Sequence, residues 1–204
     1  VAEHTWDADV GQYRTAAGRL VPEVTVRAAV ERIVGATEDR VLTLTRQRLT
    51  GGLDTLGWRT AIQTELRSAH VAATALARGG LGNLTAAERG WVGSRLRGEY
   101  TYLSGFALEL GTLSDAQALA RARQYAHGVQ GTYYAARQRE RQAAGYGAER
   151  RVLGAARHCA DCIAHAGQGW QPIGTLPPPG QACQCRSRCR CVMEFRPEAV
   201  ADAA

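Results

Sequence analysis

Residues 158–196 read HCADCIAHAGQGWQPIGTLPPPGQACQCRSRCRCVMEFR, and this stretch holds all six cysteines of the chain. They fall as Cys159-x-x-Cys162, a long loop rich in glycine and proline, then Cys183-x-Cys185-x-x-x-Cys189-x-Cys191. Residues 1–158 contain no cysteine. A thiol cluster confined to one short segment is a local device. The segment is too small to bury an apolar core of its own, so it needs a staple, and metal and disulfides are the two candidates.

Outward from that stretch, the 204 residues suit one domain, or one domain and a small appendage. Hydrophobic residues make up 45% and charged residues 22%, as in a soluble globular chain. No apolar run reaches the ~18 residues of a membrane span, and the first twenty residues do not read as a signal peptide. The chain begins at Val1 and Met193 is its only methionine, so it reads either as processed or as a piece of a longer product.

Residues 1–20 show no clear period and read as an N-terminal arm. Residues 21–150 read as a helical body, and residues 151–204 as the cysteine-rich knuckle and tail. In the body, Pro22 suits a first helical turn. Val26, Val30, Ile33, Val34, Val41, Leu44 and Leu49 then keep helical spacing as far as Gly51-Gly52. Asp54 is a good N-cap for a second helix, which Gly79-Gly80 ends. Thr85-Ala-Ala-Glu88 and Ser114-Asp-Ala-Gln117 are capping boxes, and each opens a further helix. The second of these runs to about Ala144, with Leu119, Ala120, Ala126, Val129, Tyr133 and Ala136 on one side and Arg and Gln on the other. Residues 169–174 and 190–195 carry strand signals and are expected to pair as a small hairpin that holds the cysteines. The fold class is therefore mainly α: about four helices with a small C-terminal zinc knuckle and β-hairpin.

Tetrahedral zinc takes four N or S ligands, commonly as two pairs from two turns. Cys159 and Cys162 form one pair. Cys183, Cys185, Cys189 and Cys191 offer four thiols for the two remaining places. The preferred set is Cys159, Cys162 and Cys185 with Cys191 or Cys189. Cys183 is the spare, and His158 and His165 are held in reserve. Three disulfides are the competing reading, because six is an even number. The long cysteine-free body does not resemble a disulfide scaffold. Free or redox-active thiols are the third reading. A closed four-thiolate site would be structural and not catalytic. Arg186, Arg188 and Arg190 would offset its negative charge.

All 25 basic residues are arginine, and the formal charge is +6. Residues 121–190 hold 11 arginines against three acids, Glu140, Glu149 and Asp161. Such a stripe would suit DNA or an acidic partner, with Arg137, Arg139, Arg141, Arg150 and Arg151 as the candidate contacts. A solvated helix face is the plainer reading. For single-stranded nucleic acid, the knuckle offers only Trp170 and Phe195 as stacking platforms. Phosphate loops and His-Glu-x-x-His are absent, and the five histidines are scattered, so an enzyme is not expected.

LGAARHCADC (153–162), GWQPIGTLPPPG (169–180), CRSRCRC (185–191) and VMEF (192–195), preceded by helical stretches such as YTYLSGFALELGTLS and RARQYAHGVQGTYYAARQRE, resemble tailed-phage minor head or head-morphogenesis proteins of the Mu F-like type. Proteins of that family commonly end in a paired-cysteine knuckle that closes on Cys-Arg-Cys, here Cys189-Arg190-Cys191. This chain departs from the pattern in two ways. Cys185 stands where a histidine is usual, with one extra residue of spacing, and Cys183 has no counterpart. The resemblance implies a structural virion protein, assembled in the host cytoplasm and associated with the capsid. It would be oligomeric in the particle, with portal or major capsid protein as partners, packaged DNA as a further contact and no membrane.

Overall fold

The computed structural model describes residues 4–7, 10, 12–185 and 189–197, the side chains of Trp6 and Glu23 excepted. The chain is mainly helical, with two small antiparallel sheets and a C-terminal cysteine cluster. In order it forms β1 (His4–Asp7), β2 (Gln12–Thr15), β3 (Leu20–Val21), α1 (Glu23–Leu49), α2 (Thr55–Ala77), α3 (Ala86–Glu109) and α4 (Asp115–Ala143). There follow β4 (Ala148–Val152), α5 (Ala160–Gly167), β5 (Gln171–Pro172) and β6 (Val192–Arg196).

Local chemistry starts the helices. Asp54 Oδ1 accepts from the Gly57 N–H at 2.6 Å and caps α2. Both capping boxes form. Thr85 Oγ1 accepts from the Glu88 N–H at 3.2 Å while Glu88 Oε2 accepts from the Thr85 N–H at 2.8 Å. Ser114 and Gln117 repeat the exchange at 3.3 and 3.0 Å. Each cap satisfies amides that the first helical turn leaves without a partner. Pro22 sits just before α1 and not within its first turn.

Helices α1, α2 and α4 pack against one another, and α3 packs on α2. One apolar cluster joins Val41, Trp58, Ile62, Leu66, Leu103 and Phe106, and the Trp58 and Phe106 rings meet edge-on at 5.4 Å. Burying a side chain of this size stabilises by about 1.5–3 kcal/mol. A second cluster joins Val26, Val30, Leu76, Val129 and Tyr133 to Tyr13 and Val21 from the first sheet and to Leu176 and Met193 from the C-terminal region. Ala120, expected on the apolar side of α4, is exposed, and the buried stripe there runs through Ala118, Ala122 and Ala126.

Three expectations change. Within residues 1–20, expected as an N-terminal arm, the described residues join a sheet, β1–β2–β3, in register His4↔Thr15 and Tyr13↔Val21. Tyr13 is buried, and its hydroxyl donates to the Ala77 carbonyl at 3.0 Å. At Gly79 (φ +76°) an added Cβ would lie 1.9 Å from the His4 carbonyl oxygen, so only glycine lets β1 cross the end of α2. Strands of two to four residues are too short to show a period.

Secondly, residues 169–174 and 190–195 do not pair with each other. β5 and β6 flank β4 as the outer strands of one sheet, in register Ala148↔Pro172 and Ala148↔Arg196 to Val152↔Val192. The central strand therefore lies across the expected boundary at residue 150. Thirdly, the second half of α4 is not a solvated basic face. Residues 131–137 are buried without interruption, because both sheets lie against that half of the helix.

Candidate metal centre

The knuckle is carried by the sheet. After β4 the chain passes Gly154, where an added Cβ would stand 2.2 Å from the Arg190 carbonyl oxygen. That close approach brings residues 153–158 against the Cys189–Cys191 segment. Cys159 is the N-cap of α5 and Cys162 lies in its first turn, so the two sulfurs of the Cys-x-x-Cys pair share one helix end. Helix α5 has no counterpart in the sequence reading, since eight residues are too few for a helical period. The 180–185 loop returns through Ala182, a non-glycine residue at φ 45°, and delivers Cys183 and Cys185. Gln130 of α4 donates to the Cys189 carbonyl at 3.2 Å and ties the last segment to the body. Arg190 reaches α1 and pairs with Glu31 at 3.2 Å.

The interior of the knuckle is sulfur. Cys162, Cys183, Cys189 and Cys191 are buried, with Cys159 and Cys185 packed against them. The Sγ–Sγ distances are 3.3 Å for Cys162–Cys185, 3.7 Å for Cys162–Cys189 and 3.5 Å for Cys183–Cys185. A disulfide requires about 2.05 Å. A tetrahedral four-thiolate site with metal–sulfur bonds of about 2.3 Å has edges of about 3.8 Å. The spacing fits a metal, and all six cysteines are free. The Sγ atoms of Cys162, Cys183, Cys185 and Cys189 lie within 4.8 Å of one another, and so do the ligand atoms of His158, Cys162 and Cys191. The cluster can hold a metal ion.

The membership differs from the preferred set. Cys183, expected to be the spare, is one of the four mutually close thiols. Cys159 lies beside Cys162 and Cys185, while Cys191 faces His158, its Sγ 3.6 Å from Nδ1. His158, held in reserve, joins the cluster with its tautomer already set. Its Nε2 is 2.7 Å from the Gly154 carbonyl, which can only accept, so Nε2 carries the proton and Nδ1 presents a lone pair toward Cys191. His165 instead uses Nε2 on the Ala182 carbonyl at 3.2 Å. Arg186 and Arg188 lie outside the described residues.

The sulfurs differ in their electrostatics: burial raises some of the thiols, while hydrogen bonds lower Cys159 and Cys189. Burial acts to raise the Cys159 thiol, but the backbone N–H groups of Cys162 and Cys185 outweigh it and bring it down to about 6. Burial pushes Cys162 and Cys185 well above the usual thiol range and raises Cys191 to about 11. Arg151 acts on the Cys191 thiol from β4. It is 1% exposed, donates to the Pro177 carbonyl, and has no carboxylate partner among the described residues. Its Nε and Nη1 make no hydrogen bond. Nearby negative charge would stabilise such a buried guanidinium, and a metal–thiolate cluster would supply it.

The five arginines expected to contact DNA are used otherwise. Arg137 is buried among the rings of Tyr13, Tyr133 and Phe195, at 5.9, 5.7 and 5.6 Å. Arg141 is fully buried, pairs with Glu140 and lies over Tyr13 and Tyr146. Arg151 is buried as described. Arg150 pairs with Glu194 at 2.6 Å, and its guanidinium and that of Arg196 both lie over Trp170. Arg139 alone of the five is exposed, with its guanidinium over Trp91. A planar guanidinium is more weakly hydrated than an ammonium and stacks on aromatic faces, so an arginine-rich sequence can place these cations inside.

A polar relay that the sequence reading missed spans α2, α3 and α4 beside the knuckle. Arg95 Nε donates to Thr132 Oγ1 at 3.1 Å, and the same hydroxyl hydrogen-bonds His70 Nδ1 at 2.8 Å. His70 Nε2 lies 3.2 Å from Glu99 Oε2. Glu99 and Cys183 both line a cleft of 670 Å³. His70 and Thr132 are fully buried, so the relay fastens three helices. No signal in a single sequence distinguishes such a histidine from a surface one. No helix among the described residues is long and apolar enough to cross a membrane. No family model, curated protein or solved structure matches the chain.

Proposed function

We propose that the chain is a structural virion protein of a tailed bacteriophage. It is a minor head protein of the Mu F-like type, with zinc closing its C-terminal knuckle and its body contacting portal or major capsid protein. The observation that carries the structural role is the sulfur cluster itself. Its thiols are largely buried and bracketed by β4, α5 and β6, and they are tied to α4 through Gln130 and to α1 through Arg190. Such a closed, thiol-rich site leaves no position for a reacting water, and it fastens the end of the chain to the helices. Thiolate and imidazole donors in tetrahedral spacing favour zinc over hard cations. The virion assignment is supported by the resemblance of residues 153–162 and 185–195 to that family.

The nucleic-acid-binding alternative loses most of its contacts, since Arg137, Arg141 and Arg151 are buried and Trp170 is covered by two guanidinium groups. The test is to purify phage heads through a high-salt gradient and to assay the chain in the head fraction. Retention with shell or portal protein is expected. Absence from heads, together with duplex affinity that falls steeply with salt, overturns the proposal in favour of a DNA-binding module.

A further inference from the structure

Seven soft donors converge in the knuckle, the six cysteine sulfurs and His158 Nδ1. One tetrahedral metal uses four of them. That would leave Cys191 buried against His158 with neither engaged, and Cys159 idle at the end of α5. The two close groups of ligand atoms have one member in common, Cys162. Two tetrahedral centres that share one ligand need seven donors, which is the number present.

We propose that the knuckle binds two metal ions bridged by the Cys162 thiolate. One is held by Cys162, Cys183, Cys185 and Cys189, and the other by Cys162, Cys191 and His158, with Cys159, which lies beside Cys162, as the donor left to complete it. This rests on the reading of the knuckle as a metal centre. A thiolate sulfur has lone pairs enough to bind two ions, whereas an imidazole nitrogen has one. Cys162 is also placed to bridge, being fully buried and in contact with the thiols of Cys159, Cys185, Cys189 and Cys191.

The second centre has its own support. The Gly154 carbonyl holds the proton of His158 on Nε2 and aims the lone pair of Nδ1 toward Cys191, as an outer hydrogen bond does for a metal-bound histidine. Six thiolates against two divalent ions leave the whole cluster with two negative charges. Arg151, buried beside Cys191 without a carboxylate, is the available counter-charge.

The protein reconstituted with zinc under reducing conditions should hold two metal ions per chain, counted by native mass spectrometry and elemental analysis. His158→Ala should hold one, with unchanged helical circular dichroism. Wild type saturating at one ion, or His158→Ala keeping the wild-type number, overturns the two-metal proposal and leaves the single-metal reading standing. No bound metal at all overturns both. Because Cys162→Ser removes a ligand from both centres and could abolish folding of the knuckle, the bridge is tested in the intact protein. Loaded with the NMR-active cadmium isotope, it should give two resonances coupled to each other through the shared sulfur. Two uncoupled resonances overturn the bridge.

Discussion

The helical body and the knuckle are neighbours held together by different physics. The body buries Trp58, Ile62, Leu66, Leu103 and Phe106 in an apolar core, and its helices begin at caps written within four residues of sequence. The knuckle buries cysteines. Its buried Leu176 and Met193 belong to the core beneath α4 and not to the sulfur cluster. One part is stabilised by removing carbon from water. The other has too little carbon to remove, and a metal ion held by its cysteines would take its place. A small fold can therefore be added to a body without enlarging the core, provided its ligands are buried and its backbone is anchored.

Metal removal is the strongest way to break that contrast. A structural zinc site contributes about 10–16 kcal/mol of binding energy in small peptides. A chelator under reducing conditions should therefore unfold the knuckle and leave most far-ultraviolet helical signal in place. A single transition that also erases the helices would show the two regions to be one cooperative unit. Next in size is Trp58→Ala. Its side chain is fully buried and its indole N–H donates to Thr45 Oγ1 at 3.3 Å. Urea unfolding of the body should shift by about 3–5 kcal/mol, with the metal content unchanged. A fall in bound metal would contradict the separation.

Gly154→Ala probes the knuckle alone, because the new Cβ would meet the Arg190 carbonyl oxygen at 2.2 Å. A cost of about 1–3 kcal/mol is expected, read as weaker zinc affinity in a competition with a chelating dye. Unchanged affinity would remove Gly154 from the anchor. The smallest effect belongs to Thr85→Ala, which deletes a capping box far from the sulfurs. It should lower body stability by about 1 kcal/mol, measured by thermal denaturation, and leave zinc affinity untouched.

Much of this contrast was legible in the residues. Asp54, Thr85 with Glu88, and Ser114 with Gln117 mark three helix starts, because a cap is a contact between residues three apart. The confinement of cysteine to 159–191 marked the knuckle. The N-terminal sheet was not legible, since its strands are shorter than any period. The burial of Arg137 and Arg141 was not legible either. An arginine on an aromatic cage and an arginine in water have the same letter, and the cage here is built from Tyr13, Tyr133, Tyr146 and Phe195, drawn from four parts of the chain.

By itself, then, the sequence determined where four helices begin and end, that the chain is mainly α, and that its last quarter gathers all the cysteines. Those properties depend on neighbours a turn or two away. Only the tertiary structure decided which donors meet. Cys162 faces Cys189 across 27 residues and His158 faces Cys191 across 33. Those meetings depend on β6 pairing with β4 and on Gly154 admitting the Arg190 backbone. Cysteine spacing limits which sulfurs share a turn, but strand register sets which turns come together. That register puts Met193 in the core with Val129 and Tyr133 of α4, a meeting that no local pattern records.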